Sequence, residues 1–190
     1  FFEVLIRDFD SERTFQNLID KIDYFKNLNI NAIELMPVME FEGNESWGYN
    51  TSFHMAVDKF YGPEDKLKEF IDLCHQNGIA VILDLVMNHV MGRSPMNRMW
   101  MYDPDKNGWG PVSTENPYFN LEATHSYSLG NDFNHQSTYT QYYTERVVKR
   151  WIEDFKIDGI RWDLTKGFTQ NCNGNDFDCT NGYQQDRVDV

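Results

Sequence analysis

The sequence is poor in cysteine and basic residues and contains no long hydrophobic run. Its three cysteines among 190 residues cannot build a disulfide framework. No apolar run approaches the roughly 20 residues that span a bilayer, so we expect no membrane partner. The 17 Lys and Arg residues are outnumbered by 30 Asp and Glu residues, and the formal charge of −13 argues against nucleic acid, whose phosphates it would repel.

What the chain has in abundance is material for a core, with 41% hydrophobic and 15% aromatic residues. Apolar runs predict four strands, and residues at helical spacing predict three helices between them. The helices are expected near residues 15–28 after an N-cap at Ser11, after Gly62-Pro63, and over about Tyr139–Phe155. The predicted strands are Phe2–Ile6, Ile30–Met36, Ile79–Val86 and Ile157–Leu164.

This alternation of strands and helices predicts a parallel α/β architecture, either an open doubly wound sheet or a barrel. No Gly-x-Gly-x-x-Gly follows the first strand, which disfavours the nucleotide-binding sheet. An eight-stranded (β/α)8 TIM barrel needs about 250 residues, so we expect about four βα units, the first half of such a barrel. The third strand is followed by about 50 residues rich in Gly, Asn, Pro and aromatics, a length that usually has a function.

We therefore divide the chain into three parts. Residues 1–91 are assigned to three strands and two helices of a barrel, residues 92–138 to a small excursion domain, and residues 139–190 to the third helix, the fourth strand and the loop after it. The chain starts with Phe1 rather than Met and ends, over Gln184–Val190, in what resembles the first turns of a helix. It is read as an internal segment, so the lack of a signal peptide carries no information on compartment.

Polar residues at the ends of the predicted parallel strands are the candidates for chemistry, because ligands bind at those ends. Arg161 and Asp163 are two apart in the fourth strand and should face the same side. A nearby guanidinium keeps a carboxylate ionised and available as a nucleophile. A purely structural ion pair in a polar barrel layer is the alternative.

Other strand-end residues suggest binding or support. Asp84, inside the third strand, is read as a partner that holds loops and Arg161 in place. Asn88-His89 ends that strand, and His89 is either structural or a ligand contact. Tyr49, in the loop Trp47-Gly48-Tyr49-Asn50, offers a flat face for a sugar ring, with ordinary loop packing as the alternative.

Taken together, these segments resemble glycoside hydrolase family thirteen, the α-amylase superfamily. Residues 84–89, Asp-Leu-Val-Met-Asn-His, match its Asp-x-Val-x-Asn-His motif, and residues 159–163, Gly-Ile-Arg-Trp-Asp, match its Gly-x-Arg-x-Asp motif. Residues 132–134, Asp-Phe-Asn, resemble its short Asp-Leu-Asp/Asn motif. Residues 34–38 and 47–50 resemble the sequences of branching, debranching and trehalose-releasing members of this family.

The resemblance implies a retaining enzyme for α-glucans such as starch, glycogen or maltodextrin. It implies that Asp163 is the nucleophile and that Arg161 keeps it ionised and oriented. His89 and Tyr49 would bind the sugar being attacked, and Lys166 would reach a sugar on the leaving side. Trp47 would be a further substrate-binding residue. A branching enzyme or other glucanotransferase, and a non-catalytic carbohydrate-binding barrel, are the alternatives.

Two features depart from the family pattern. Lys166 is followed by Gly167, whereas many amylases have Lys-His there. The family's general acid and third carboxylate lie on its fifth and seventh strands, beyond this chain, and none of Glu40, Glu42 or Asp58 matches the acid's motif. We therefore expect the isolated segment to be inactive.

The resemblance implies no required cofactor and leaves a structural calcium open. Its ligands would include Asn88 and Asp132, which carry the oxygen atoms that this cation prefers. Cys172 and Cys179 flank an Asn/Asp/Gly-rich loop and are expected either to close a disulfide or to remain two thiols, with a slight preference for the disulfide. The compartment stays open, with a slight preference for a periplasmic or secreted protein.

Overall fold

A computed structural model describes residues 1–182, and the helical turns predicted at Gln184–Val190 lie outside the described residues. The chain forms two compact units. The first unit comprises Phe1–Leu85 and Val147–Trp162, and the second comprises Val86–Arg146 together with the residues from Asp163 onward. The predicted boundaries of the excursion, 92–138, stay a prediction.

Short strands and helices alternate along the chain. The strands are β1 (Phe2–Val4), β2 (Ala32–Leu35), β3 (Met39–Phe41), β4 (Thr51–Val57), β5 (Ala80–Leu85), β6 (His89–Val90), β7 (Asn131–Asp132) and β8 (Gly159–Trp162). The helices are α1 (Ile6–Phe9), α2 (Phe15–Asp20), α3 (Ile22–Asn27), α4 (Glu64–Gln76), α5 (Pro95–Arg98), α6 (Thr138–Phe155) and α7 (Phe177–Asn181), with a 3-10 turn at Thr165–Phe168.

The first unit is built on a parallel sheet with the strand order β1-β2-β5-β8. All four members are the strands predicted from apolar runs. Ile33 pairs with Phe2 on one side and Val81 on the other, and Asp84 pairs with Arg161. Because side chains alternate between the two faces in step along paired strands, two residues that pair with each other point to the same face. Asp84 and Arg161 therefore lie on the same side of the sheet. An antiparallel hairpin of β3 and β4, which the sequence did not reveal, precedes α4.

The helix predicted over residues 15–28 is divided into α2 and α3 at Lys21. Its predicted start at Ser11 is wrong. Thr14 is the N-cap, where the Asn17 side chain accepts a hydrogen bond from the Thr14 N–H at 3.2 Å. Arg13 has a left-handed φ of 58°, so the chain turns between Ser11 and the helix. Ser11 therefore lies one turn too early to cap it.

Helix α4 matches its prediction closely. Pro63 immediately precedes it, and Gly78 follows with a φ of +71°, the left-handed conformation that glycine adopts without steric cost after a helix end. Its buried side chains are Leu67, Phe70, Ile71 and Cys74.

Helix α6 begins within one residue of its predicted start. Its apolar residues Val147, Trp151 and Phe155 are buried, whereas Ile152 is exposed. The Trp151 indole N–H donates to the His54 carbonyl at 2.9 Å and so fastens the end of the helix to β4. No helix among residues 1–182 is both long and apolar enough to cross a membrane.

The second unit contains little regular structure. Its two short strands β6 and β7 are antiparallel, and His89 pairs with Asp132. A disulfide joins Cys172 and Cys179, whose Cα atoms are 5.8 Å apart. The slight preference for this bond over two thiols is therefore confirmed.

Candidate functional site

In the first unit, the Asp84 carboxylate is the centre of a polar cluster. It is fully buried and lies in β5, opposite Arg161 of β8. Arg161 Nη1 donates to both carboxylate oxygens, at 3.0 and 3.1 Å, and the Tyr49 hydroxyl donates to Oδ2 at 2.7 Å. The Asp84 side chain thus connects two strands and the loop that carries Tyr49, which is the arrangement expected of a supporting residue.

The loop that presents Tyr49 depends on the glycine before it. Gly48 has a φ of +97°, and a Cβ at this position would overlap the Pro37 carbonyl oxygen and lie 2.7 Å from the Pro37 Cβ. Both the backbone conformation and the close approach require glycine. Tyr49 is half-buried, whereas Trp47 on the other side of Gly48 is exposed. Their predicted contacts with a sugar stay predictions.

In the second unit, Asn88 and His89 follow β5 and are buried. Asn88 Nδ2 donates to the Asp163 Oδ2 and to the Asp163 carbonyl oxygen, both at 3.1 Å. The Asn88 Oδ1 then faces His89 Nδ1, which must be the donor because an amide oxygen only accepts. The side chain and main chain of Asp163 are therefore both held by one amide.

Asp163 comes directly after β8 and is partly exposed. The next residue, Leu164, has a φ of 41° and a ψ of 61°, a left-handed conformation that is costly for a residue with a Cβ. Such strain is common where a chain presents a reactive group, and here it lies between the strand end and the turn Thr165–Phe168. The predicted effect of Arg161 on Asp163 stays a prediction.

Lys166 and Gly167 lie in that turn. Lys166 Nζ is 3.2 Å from the Asn181 Oδ1, and its predicted contact with a leaving-side sugar stays a prediction. Gly167 is buried against two side chains. A Cβ at this position would lie 2.6 Å from the Asn88 Cβ and 3.1 Å from the His125 Nε2.

The two candidate calcium ligands do not fit a metal in this arrangement. The Asp132 carboxylate is buried and surrounded by N–H donors. They are His125 Nε2 on Oδ1 at 2.9 Å, and Asn120 Nδ2 at 2.8 Å and the Thr124 amide at 3.2 Å on Oδ2. The Asn88 oxygen likewise accepts from His89. A cation needs these same lone pairs.

Among residues 1–182, no three His, Cys, Asp or Glu side chains are arranged to hold a metal ion. We therefore derive no chemical step through calcium.

His125 is the residue of this cluster that the sequence did not suggest. Its ring is buried, with Nε2 on the Asp132 carboxylate and Nδ1 2.8 Å from the Ser126 carbonyl oxygen. Burial alone would lower the pKa of His125, but the hydrogen bonds to Asp132 and Ser126 outweigh it and raise the pKa above its ordinary value. Both ring nitrogens thus face acceptor oxygens, one of a carboxylate and one of a main-chain carbonyl.

A signal for His125 could have come from Gly167, which has no side chain where many amylases have histidine. Nothing in the sequence says which residue lies against Gly167, because His125 belongs to an irregular segment and to none of the motifs.

Comparison with known proteins gives a consistent result. The family model "Alpha amylase, catalytic domain" matches residues 8–96. The malto-oligosyltrehalose trehalohydrolase of Saccharolobus solfataricus is 32% identical over 171 residues, which are 90% of this chain and 28% of that protein. Alpha-amylase 3 of Dictyoglomus thermophilum is 32% identical over 183 residues, which cover 87% of this chain and 36% of that protein.

Among solved structures, Amy13B of Eubacterium rectale matches with a TM-score of 0.71 and 27% identity over 94% of this chain and 39% of that one. The parallel sheet and this match confirm the predicted fold class, an α/β chain that forms part of a (β/α)8 barrel. The chain spans about a quarter to two fifths of the length of these proteins.

Proposed function

The chain belongs to the α-amylase family, glycoside hydrolase family thirteen, and we propose that it is the first half of the catalytic barrel of a retaining enzyme that acts on α-glucans. In this proposal the substrate is an oligo- or polysaccharide such as starch, glycogen or maltodextrin. Asp163 is the nucleophile, and the general acid lies beyond this chain.

The proposed reaction has two steps. An Asp163 carboxylate oxygen forms a bond to the anomeric carbon while the glycosidic C–O bond breaks, and the leaving oxygen takes a proton from the general acid. Water or a sugar hydroxyl then attacks the anomeric carbon and releases Asp163. Retaining enzymes of this kind hold their two carboxyl groups roughly 5 Å apart around an oxocarbenium-like transition state.

The hold of Asn88 on Asp163 is the observation that supports this role best. One amide donates to both the side chain and the main chain of Asp163. This two-point contact fixes the direction of a partly exposed carboxylate at a strand end, where parallel barrels bind substrates. A nucleophile needs this orientation, because misplacing a reacting atom by about 1 Å lowers the reaction rate strongly.

The other site residues have supporting roles in the proposal. Arg161 contributes positive charge near the strand end and is itself held by Asp84, which also accepts from Tyr49. The sugar being attacked is contacted by Tyr49, Trp47 and His89. A sugar on the leaving side is contacted by Lys166. Whether water or a sugar hydroxyl accepts the glycosyl group decides between a hydrolase and a branching enzyme or other transferase.

The test is Asp163→Asn in the complete enzyme, assayed on maltooligosaccharides, with the exposed Asp105→Asn as the matched control. We expect the rate to fall by about 10³-fold or more for Asp163→Asn, because Asn cannot form the covalent intermediate, and to stay within about twofold for the control. A loss of less than about tenfold for Asp163→Asn would show that Asp163 is structural.

A second measurement identifies the covalent step itself. A slowly turned-over glycosyl fluoride should add the mass of one sugar to the peptide that contains Asp163, and product analysis should separate hydrolysis from transfer. If the wild-type enzyme binds maltooligosaccharides but neither cleaves nor transfers them, the non-catalytic carbohydrate-binding barrel replaces this proposal.

A further inference from the structure

The Asp132 cluster of the second unit is closed by a buried imidazole from the chain itself. The His125 ring lies between the Asp132 carboxylate, 2.9 Å from Nε2, and the Ser126 carbonyl oxygen, 2.8 Å from Nδ1, and all three groups belong to residues that are buried. A buried carboxylate needs a compensating charge or several hydrogen bonds. His125 contacts one Asp132 oxygen, and Asn120 and Thr124 donate to the other.

The same ring also fills space. The buried Gly167 lies between it and Asn88, so close that a Cβ at residue 167 would be 2.6 Å from the Asn88 Cβ and 3.2 Å from the His125 Cε1. Asn88, in turn, contributes its amide to Asp163 and its oxygen to His89. One imidazole thus satisfies Asp132, packs against Gly167 and closes the cluster around Asn88.

We propose that the His125 imidazole takes, in this chain, the structural place of a divalent cation at Asp132 and Asn88. A cation would have to compete with the donors already on the Asp132 and Asn88 side-chain oxygens. Because the cation is not required, the Asn88 side chain is committed to Asp163 instead of to a metal. The inference does not depend on Asp163 being the nucleophile, since its test measures stability and metal content.

The first experiment uses the complete wild-type enzyme. Its melting temperature is measured after dialysis against a chelator and again with millimolar CaCl2, and its calcium content by elemental mass spectrometry. We expect less than about 1 °C of change in either solution and far less than one calcium per chain. A melting temperature that falls by several degrees with chelator, together with bound calcium that His125→Gln leaves in place, would overturn the proposal.

The second experiment tests the buried contact of the imidazole, with His75→Gln as the matched control. His75 Nε2 contacts Asp158 at 2.8 Å, nearly the length of the His125–Asp132 contact, but both partners are partly exposed. We expect His125→Gln to lower the melting temperature by about 10 °C, because it removes the ring that contacts Asp132 Oδ1 and packs against Gly167, and His75→Gln by less than about 2 °C.

The double variant His125→Gln/Asp132→Asn keeps the test decisive if the single variant does not fold. Removing the Asp132 charge should recover at least half of the loss, because a neutral side chain no longer needs the lost contact. If the double variant is as unstable as the sum of the two single ones, or if His125→Gln is no more harmful than His75→Gln, the His125 imidazole does not do what we propose.

Discussion

Asp84 of the first unit and Asp132 of the second are both buried carboxylates, but they obtain their donors in different ways. Asp84 lies in a regular strand and is paired with a guanidinium from the neighbouring strand, at a position fixed by the sheet register. Asp132 lies in a two-residue strand and is paired with an imidazole from an irregular segment seven residues earlier. One pair is therefore determined by the sheet, and the other by the path of a loop.

The two partners also differ in solvent contact. The Arg161 side chain is 44% exposed, whereas the His125 side chain is 1% exposed. Water around the partly exposed guanidinium screens the Asp84–Arg161 ion pair. Solvent near the guanidinium therefore stabilises part of the charge on Asp84. The second pair must be satisfied within the protein. We therefore expect loss of charge to cost less at Asp84 than at Asp132, despite the deep burial of both carboxylates.

Within the first unit, the largest effect should follow removal of the charge on Asp84. Asp84→Asn keeps the shape of the side chain but takes the Asp84 carboxylate away from Arg161 and weakens the hydrogen bond from Tyr49. We expect about 2 to 3 kcal/mol of lost stability in urea unfolding of the complete enzyme. The exposed Asp72→Asn, on α4, is the control and should change stability by less than about 0.5 kcal/mol. Equal effects of the two variants would mean that the Asp84 cluster contributes nothing specific.

In the second unit, the matching test concerns space rather than charge. Gly167→Ala places a Cβ 2.6 Å from the Asn88 Cβ, so Asn88 has to move and with it the amide that holds Asp163. We expect a cost of about 2 kcal/mol and a fall in kcat of about tenfold or more. Gly174→Ala is the control, because its Cβ would be 3.5 Å from the nearest atom, the Ala123 carbonyl oxygen.

The two Gly167→Ala readouts distinguish its possible effects. A variant that loses stability but keeps its kcat would show that Asn88 does not orient Asp163. A variant that loses neither would show that the turn shifts freely, and the close packing around Gly167 would then have no functional weight.

The sequence predicted the first unit well because its information is periodic. Four apolar runs became the four parallel strands, and Asp84 contacts both Arg161 and Tyr49, as expected of a residue that holds the arginine and a loop. The sequence did not predict the hairpin of β3 and β4 or the position of His125. Those depend on long-range contacts within irregular segments, where no hydrophobic period constrains the chain. The left-handed conformation of Leu164 was also not predicted, because position 164 has no glycine or asparagine to indicate it.

The smallest expected effect concerns a second buried carboxylate of the first unit, Glu34 in β2. It pairs with Ile82 in β5, so it lies on the same face of the sheet as Asp84. Burial, reinforced by the nearby Glu3 carboxylate, raises the pKa of Glu34 despite an opposing effect of Arg161. A carboxyl whose folded pKa is raised binds its proton more tightly when folded, so its contribution to stability is present at low pH and is lost as pH rises through the folded pKa.

Glu34→Gln removes this pH dependence. At neutral pH the variant should be more stable than the wild type by up to about 1 kcal/mol, and the difference should vanish below pH of about 4, where Glu34 is protonated in both folded and unfolded chains. Urea unfolding at several pH values measures it, with the exposed Glu69→Gln as the control. A variant that is less stable than the wild type at neutral pH would mean that Arg161 holds the ionised Glu34 as firmly as it holds Asp84. The contrast between Asp84 and Glu34 on this face of the sheet would then be lost.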